Sequence, residues 1–242
     1  MKKAIIIAAI VVAVSVICTV LILEGWPRGL VGSGNLETET YDFADFNEVE
    51  ISSAFEFEIE QSNSYSINIT ADDNIMEYVQ VSQDGQTLKI ELRRVIWLGP
   101  VTLRASVTMP ELSNLDVSGA SRGTISDFSS TDDLDIMVSG ASRVTGDITA
   151  GDVEFDISGA STIQLEGSAN DIDADVSGAS SLKLDDFTVN NANVDLSGAS
   201  SGTINLDGRL DADLSGASRL WYIGEPTMGT IDTSGASIIS KK

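Results

Sequence analysis

Aspartate recurs at a fixed place in the second half of the chain, two residues before six of the seven copies of Ser-Gly-Ala-Ser. The six carboxylates are those of Asp116, Asp156, Asp175, Asp195, Asp213 and Asp232, while the second copy has Met137 at this place. Calcium accepts carboxylate oxygens, so Asp156, Asp175, Asp195, Asp213 and Asp232 are candidate ligands. The alternative is a solvated acidic ladder without metal. The absence of the nine-residue repeat of calcium-binding β-rolls favours the ladder.

The serines of the repeated tetrapeptide are the second group that could do chemistry. A nucleophilic serine needs a neighbouring base, and the chain contains no histidine, which excludes a Ser-His-Asp triad or a Cys-His pair. The same absence excludes zinc or haem sites ligated by histidine. The single cysteine, Cys18, cannot form a disulfide within the chain. We therefore expect no catalytic residue and no cofactor other than the calcium option.

The tetrapeptide repeats at intervals of 18 to 21 residues, and its copies begin at Ser118, Ser139, Ser158, Ser177, Ser197, Ser215 and Ser234. Such a period indicates a solenoid, and the Asp, Ser, Gly, Thr and β-branched residues between the copies favour strands and turns over helices. Nineteen extended residues span about 60 Å, which suits one coil of three short strands. We predict an all-β fold, a parallel and right-handed β-helix, over residues 112–240.

The residues after each copy alternate in character. Counting from the second serine, the second and fourth positions are apolar or glycine, as in Val144 and Ile163, whereas the first and third are mostly polar, as in Arg143 and Thr145. Successive side chains of a strand point to opposite faces, so the apolar positions should stack inside the coil. Glycine tolerates a positive φ and close backbone approach, which indicates that the tetrapeptide forms the corner of each coil.

Residues 41–111 also favour strands. Polar and apolar residues alternate in Glu48–Ile51, Phe55–Glu60 and Tyr65–Thr70, and Asp84-Gly85 is typical of a hairpin turn. Further strands are expected over residues 87–92 and 101–109, with a short helical turn near residues 72–79. We expect this strand-rich part to cover one end of the coils, while Lys241 and Lys242 protect the last strand edge at the other end.

The N-terminus has the features of a membrane anchor. Ala4 to Leu23 contains no charged residue, and twenty helical residues span about 30 Å, the thickness of a bilayer core. A small-x-small cleavage site is absent, which favours an uncleaved anchor over a removed signal. Lys2 and Lys3 place the N-terminus in the cytoplasm and the C-terminal part outside the membrane. We predict a single-pass transmembrane helix at residues 1–23, a Gly/Pro linker at 24–40 and an ectodomain at 41–240.

The charge of the chain limits its partners. Lys and Arg number 14 against 37 Asp and Glu, which gives a net charge of -23. Such a field repels nucleic acid, so we expect no role in DNA or RNA binding.

Several segments, in this order and spacing, resemble the auto-transporter adhesin, head GIN domain family. They are Asp42–Ile51, Phe55–Gln61, Asp72–Val79, Gly85–Leu88, Met109–Leu112 and Leu115–Ala120. The resemblance extends over residues 42–233. It implies a β-helical surface domain of a bacterium or archaeon with no established activity, and it supplies no catalytic residues.

These features favour a surface-exposed module at the cell membrane with an adhesive, binding or envelope-structural role. Its expected partners are the bilayer, through residues 4–23, and a cell-envelope glycan or surface protein. The alternative is an enzyme that acts on polysaccharide, because glycoside hydrolysis needs only two carboxyl groups. Trp221 and Tyr222 are the aromatic pair closest to a sugar-binding platform, although they would also serve to cap the stack. A purely scaffolding or oligomerising element is a third possibility.

Overall fold

The computed structural model describes residues 29–93 and 98–242, which form two β-sheets packed face to face around one apolar core. In spatial order, the 11-stranded sheet consists of β1 Leu36–Tyr41, β4 Ser66–Asp72, β7 Leu103–Met109, β3 Glu56–Gln61, β9 Arg122–Ser129, β11 Arg143–Thr149, β13 Thr162–Ser168, β15 Ser181–Val189, β17 Ser201–Leu206, β19 Arg219–Ile223 and β21 Ile238–Lys241. The 10-stranded sheet consists of β20 Thr227–Thr233, β18 Arg209–Leu214, β16 Asn191–Leu196, β14 Asp171–Val176, β12 Val153–Ile157, β10 Leu134–Val138, β8 Asn114–Val117, β2 Glu48–Ile51, β6 Thr87–Leu92 and β5 Val79–Asp84.

From β8 to β21 the chain alternates between the two sheets, and each strand pairs in parallel with the strand one turn earlier. The predicted parallel β-solenoid is thus confirmed, but the expectation of three strands per coil is wrong, since each turn has two. Residues that would form a third strand instead lengthen the strands of the 11-stranded sheet. The pairing of these strands with their neighbours shifts register beside Gly146, Gln164 and Leu184. The breaks in the apolar pattern at these places are therefore β-bulges within one strand and not corners between two strands.

The core follows the predicted alternation. Val144, Ile163, Leu182 and Leu220, each two residues after a tetrapeptide, are fully buried. Val144, Ile163 and Leu182 lie at matching positions on neighbouring strands, and Gly202 stands between Leu182 and Leu220 in the same column. Burial of one such side chain contributes about 1.5–3 kcal/mol. Where the column contains Gly123, the ring of Phe57 occupies the space that a Cβ would need.

The tetrapeptide forms one of the two corners of each turn, as predicted. Its glycine has φ between 70° and 81° in all seven copies, a conformation that L-residues avoid. The N–H of the following alanine donates to the carbonyl oxygen of the preceding glycine in the stack, for example from Ala179 to Gly159 at 2.8 Å and from Ala217 to Gly198 at 2.7 Å. The corner backbones are therefore hydrogen-bonded to one another from turn to turn, as the strands are.

The first part of the described chain covers one end of the solenoid. Here β1 pairs antiparallel with β4, β4 with β7, and β5 with β6. The short helix α1, Asp73–Met76, lies against β4. The buried carboxylate of Asp72 accepts hydrogen bonds from the backbone N–H groups of Gly34 and Thr102, at 2.8 and 2.7 Å. It joins the segment before β1 to the segment before β7.

Residues 36–40, which the prediction includes in the linker at residues 24–40, form most of strand β1. Local composition suggested a spacer, but pairing with β4 provides backbone partners for this segment. The hydroxyls of Thr38 and Thr70 lie 2.8 Å apart across the two strands.

The predicted transmembrane helix at residues 1–23 lies outside the described residues. Within residues 29–93 and 98–242, no helix has the length and apolar character needed to cross a membrane.

The corner stack gives a prediction for Gly178→Ala. A Cβ at Gly178 would lie 2.4 Å from the carbonyl oxygen of Gly159, and φ is 75°. Positive φ alone costs about 1–2 kcal/mol, and the collision adds to it, so we expect a loss of about 3 kcal/mol or more in the free energy of unfolding.

Gly85→Ala is the matched control. Gly85 has φ of 63°, but no atom of the described residues lies within 4 Å of the place that its Cβ would take. The substitution should cost only the conformational part, about 1–2 kcal/mol. Urea denaturation of both variants measures the difference, and equal losses would show that close stacking of the corners is unimportant.

Candidate functional site

The predicted aspartate column exists, and it lies on the outward face of the 10-stranded sheet. Consecutive strands pair Asp156 with Asp175, then Asp195 and Asp213, and the column ends at Asp232. Met137 separates this run from Asp116, as the sequence indicated. Beyond Asp116 the column continues through Glu50 to Lys89, whose Nζ lies 3.1 Å from a Glu50 carboxylate oxygen.

A second carboxylate ladder, which the sequence interpretation missed, lies where the chain enters the same sheet. The backbone N–H of Asp152 donates to the carboxylate of Asp133 at 3.0 Å, that of Asp171 to Asp152 at 3.2 Å, and that of Asn191 to Asp171 at 3.1 Å. Each side chain thus accepts a hydrogen bond from the turn stacked on it. The signal was present as an Asp or Asn at intervals of 19 to 20 residues.

Neighbouring carboxylates perturb one another in the aspartate column. Burial, followed by the charges of Asp175 and Asp213, raises the pKa of Asp195 above its ordinary value. Burial and the charge of Glu50 likewise raise the pKa of Asp116. A raised carboxylate pKa means that the folded chain binds the proton more tightly than the unfolded chain, so ionisation of Asp116 and Asp195 opposes folding.

The structure brings the candidate calcium ligands into one row without testing whether they bind metal. In the part of the chain that the structure describes, no group of three or more acidic or cysteine side chains is arranged to hold a metal ion. The calcium site at Asp156, Asp175, Asp195, Asp213 and Asp232 therefore stays a prediction from the sequence.

The outward face of the 11-stranded sheet differs in charge from the outward face of the other sheet. Its acidic members include Glu56, Glu58, Glu60, Asp147, Glu166 and Asp186, and its other positions are largely Thr, Ser, Asn and Gln. Its basic side chains come from Arg104, Arg122, Arg143, Lys183 and Arg219. By contrast, the outward face of the 10-stranded sheet carries acidic side chains from Asp116, Asp135, Glu154, Asp156, Asp173, Asp175, Asp195, Asp211, Asp213 and Asp232. The outward face of the 11-stranded sheet thus carries charges of both signs, whereas that of the 10-stranded sheet is mainly acidic.

A groove of about 440 Å³ lies on the 11-stranded face near the N-terminal end of the stack. Strands β3, β4, β7, β9 and β11 form it. Its polar lining consists of Glu56, Glu58, Asn68, Thr70, Arg104, Ser106, Arg122, Thr124, Arg143 and Thr145. This volume falls within the usual range for small-ligand sites. Sequence reasoning did not find the groove, because it depends on the pairing of β7 with β3 and of β4 with β7, between residues distant in sequence.

The second serines of the first six tetrapeptides lie inside the coil at its corners. The second serine of the first six copies is buried, with at most 2 % of its surface exposed. The hydroxyl of Ser121 donates to the carbonyl of Ser118 at 2.9 Å, and the hydroxyl of Ser218 donates to the carbonyl of Leu196 at 3.1 Å. The first contact lies within one corner and the second joins a corner to the end of β16 in the preceding turn, and both leave the hydroxyls inside the coil.

Trp221 and Tyr222 do not form a joint platform. Trp221 lies on the outward face, with the Arg219 guanidinium carbon 5.5 Å from its ring centroid, while Tyr222 packs against the core.

Comparison with known proteins agrees with this architecture. The family model described as "Putative auto-transporter adhesin, head GIN domain" matches residues 45–226. The chain belongs to this family. The resemblance found in the sequence is thereby confirmed, and no curated protein matches the chain.

Solved structures share the fold at low sequence identity. A "putative adhesin" from Bacteroides fragilis is 23% identical with a TM-score of 0.81, and the alignment covers 88% of this chain and 100% of that one. A "putative lipid binding protein" from Parabacteroides distasonis is 22% identical with a TM-score of 0.73, covering 88% and 99%. A "putative adhesin" from Parabacteroides merdae is 19% identical with a TM-score of 0.68, covering 88% and 98%. At these identities the likeness shows the fold alone.

The aspartate column gives a prediction for Asp195→Asn. Above the raised pKa of Asp195, its charge repels those of Asp175 and Asp213, so the variant should be more stable than the wild type at pH 7 by up to about 1 kcal/mol. The gain should disappear as pH falls through that pKa, because the wild-type carboxyl is then neutral as well. Melting temperatures between pH 3 and 7 measure it.

Met137→Asp is the opposite change, since it fills the gap between Asp116 and Asp156. It should lower the melting temperature at pH 7, and salt should reduce the loss by screening. A variant Asp195→Asn that is no more stable than wild type at pH 7 and low salt would contradict repulsion along the column.

Proposed function

We propose that the chain is a non-catalytic binding module displayed at the cell surface, with an adhesive or envelope-structural role. The observation that carries this proposal is the pair of extended outward faces, on which polar and charged side chains repeat from strand to strand. The predicted anchor at residues 4–23 would hold the module at the cell membrane, with its C-terminal part outside.

Rigid, repetitive faces suit ligands that are themselves repetitive. The outward side chains stand on strands that are hydrogen-bonded on both sides throughout the stack, so little conformational entropy is lost when they bind. Neighbouring strands place like groups about 4.8 Å apart. A cell-envelope glycan or a repetitive surface protein offers groups along its length that many such positions can contact at once.

The relatives support the same conclusion. The family description and two of the similar structures carry the word adhesin, and one similar structure is named a lipid-binding protein. These names, together with the predicted anchor, favour a surface location and a binding role for this chain.

One observation favours the alternative of a polysaccharide-acting enzyme. Glu50 and Asp116 lie on neighbouring strands, the pKa of Asp116 is raised, and Lys89 pairs with Glu50. Two carboxyl groups with different environments are what glycoside hydrolysis requires. However, both belong to a regular column on the outward face, while the groove lies on the other sheet.

A glycan array combined with a turnover assay tests the proposal. The full chain in detergent micelles should bind one or more neutral or acidic envelope glycans and release no sugar from them. Sugar release that is lost in Asp116→Asn and Glu50→Gln would establish the enzyme instead. Failure to bind any glycan or bacterial surface would contradict the adhesive role.

A further inference from the structure

The groove on the 11-stranded face contains an unusual arrangement of arginines. Arg104, Arg122 and Arg143 lie in one row across strands β7, β9 and β11, with Glu56 of β3 between the first two. The Nε of Arg104 lies 3.3 Å from a Glu56 carboxylate oxygen. Within residues 29–93 and 98–242, neither Arg122 nor Arg143 forms an ion pair.

Direct pairing of Arg122 with Arg143 carries a cost in stability. Like charges at opposed positions of neighbouring strands destabilise a sheet. An acidic partner would be easy to supply in a chain with 37 Asp and Glu residues, and the equivalent place in the next turn is neutral, Thr162. Pairs of residues that lower stability, as Arg122 and Arg143 do, are expected at functional sites. An anion between the two guanidinium groups would remove the repulsion.

The uncharged side chains of the groove, which lie among its arginines and the carboxylates of Glu56 and Glu58, indicate what carries the anion. Asn68, Thr70, Ser106, Thr124 and Thr145 supply hydroxyl and amide groups that both donate and accept hydrogen bonds. These groups suit a ligand rich in hydroxyls. Peptide interfaces depend instead on exposed aromatic anchors, and the aromatic ring at the base of the groove, that of Phe57, is only 3% exposed.

The charges of the two sheets determine which outward face an acidic polymer can bind. The carboxylate columns of the 10-stranded sheet repel an acidic polymer, whereas the groove lining has three arginines against the two carboxylates of Glu56 and Glu58, so the groove is the more favourable place for it. Guanidinium groups bind planar oxyanions through paired, charge-assisted hydrogen bonds.

We propose that this groove binds an acidic polysaccharide, with Arg122 and Arg143 contacting its carboxylate or phosphate groups and the Thr, Ser and Asn side chains contacting its hydroxyls. The inference rests on the proposed binding function and names its ligand class. Repetition of the anionic group along the polymer allows successive sugars to engage the row.

Binding of the full chain in detergent micelles to three polymers tests the site: polygalacturonate, a polyribitol phosphate and a neutral galactan. The first two distinguish a carboxylate from a phosphate source. The double variant Arg122→Gln/Arg143→Gln should weaken binding of the preferred acidic polymer at least about tenfold, because each lost charge-assisted contact contributes substantially. The neutral galactan should be unaffected by the substitutions.

Lys183→Gln/Arg219→Gln is the matched control. It removes the same charge from the same sheet but outside the groove lining, and it should change binding less than about threefold. Equal weakening by both double variants would show general electrostatic attraction and overturn the site. Absence of acidic-polymer binding alongside binding of a neutral glycan would overturn the inference and leave the proposed function standing.

Thermal unfolding distinguishes a lost site from a lost fold. Because removing the opposed arginines relieves repulsion, Arg122→Gln/Arg143→Gln should melt at or above the wild-type temperature in the absence of polymer. Polygalacturonate or polyribitol phosphate, whichever binds, should raise the melting temperature of the wild type but not of this variant. An equal rise in both would overturn the assignment.

Discussion

The hydrogen bond from the corner alanine to the glycine of the preceding turn, found in five successive turns from Ala160 to Ala236, is the contact on which the structure depends. It requires the two corner backbones to approach so closely that a side chain on the glycine would meet a carbonyl oxygen, at 2.4 Å for Gly159 and Gly216. Because this contact recurs in the same atoms at successive turns, for instance Ala199 to Gly178 and Ala236 to Gly216, it aligns the strands on both sides of the corner. A slip of one residue would exchange the inner and outer faces.

Alignment has opposite consequences inside and outside the coil. Inside, stacking like on like places apolar side chains in continuous contact, which stabilises every turn by burial. Outside, it stacks like charges, and burial together with the charges of neighbouring carboxylates raises the pKa values of Asp116 and Asp195. The chain limits this cost by ion pairs such as Arg209 with Asp211 and by the carboxylate-to-amide ladder at Asp133 and the turns after it. Among the described residues, the two opposed arginines of the groove have no such ion pair, which is why they indicate a ligand.

Much of the fold follows from the sequence, because the period, the alternation and the glycine of the corner are local signals. The inward positions such as Ile163 and the outward aspartates such as Asp175 are found where their spacing places them. Features that depend on non-local pairing were not predictable in this way. The two-strand turn depends on bulges at Gly146 and Leu184, β1 depends on pairing with β4, and the groove needs Arg104 to enter the sheet beside residues distant in sequence.

Native-state hydrogen exchange of the corner amides is the most direct test of the central claim. The N–H groups of Ala160, Ala179, Ala199 and Ala217 lie in turns, where amides usually exchange rapidly, yet each donates to a glycine carbonyl one turn earlier at 2.7 to 2.8 Å. If the corner bonds align the strands, these four amides should exchange as slowly as the amides of β14 and β16, because exchange would then require unfolding of the whole domain. Exchange as rapid as that of the exposed turn at Gly85 and Gln86 would contradict this role of the corners. The corner hydrogen bonds would then be a consequence of strand pairing and not its cause.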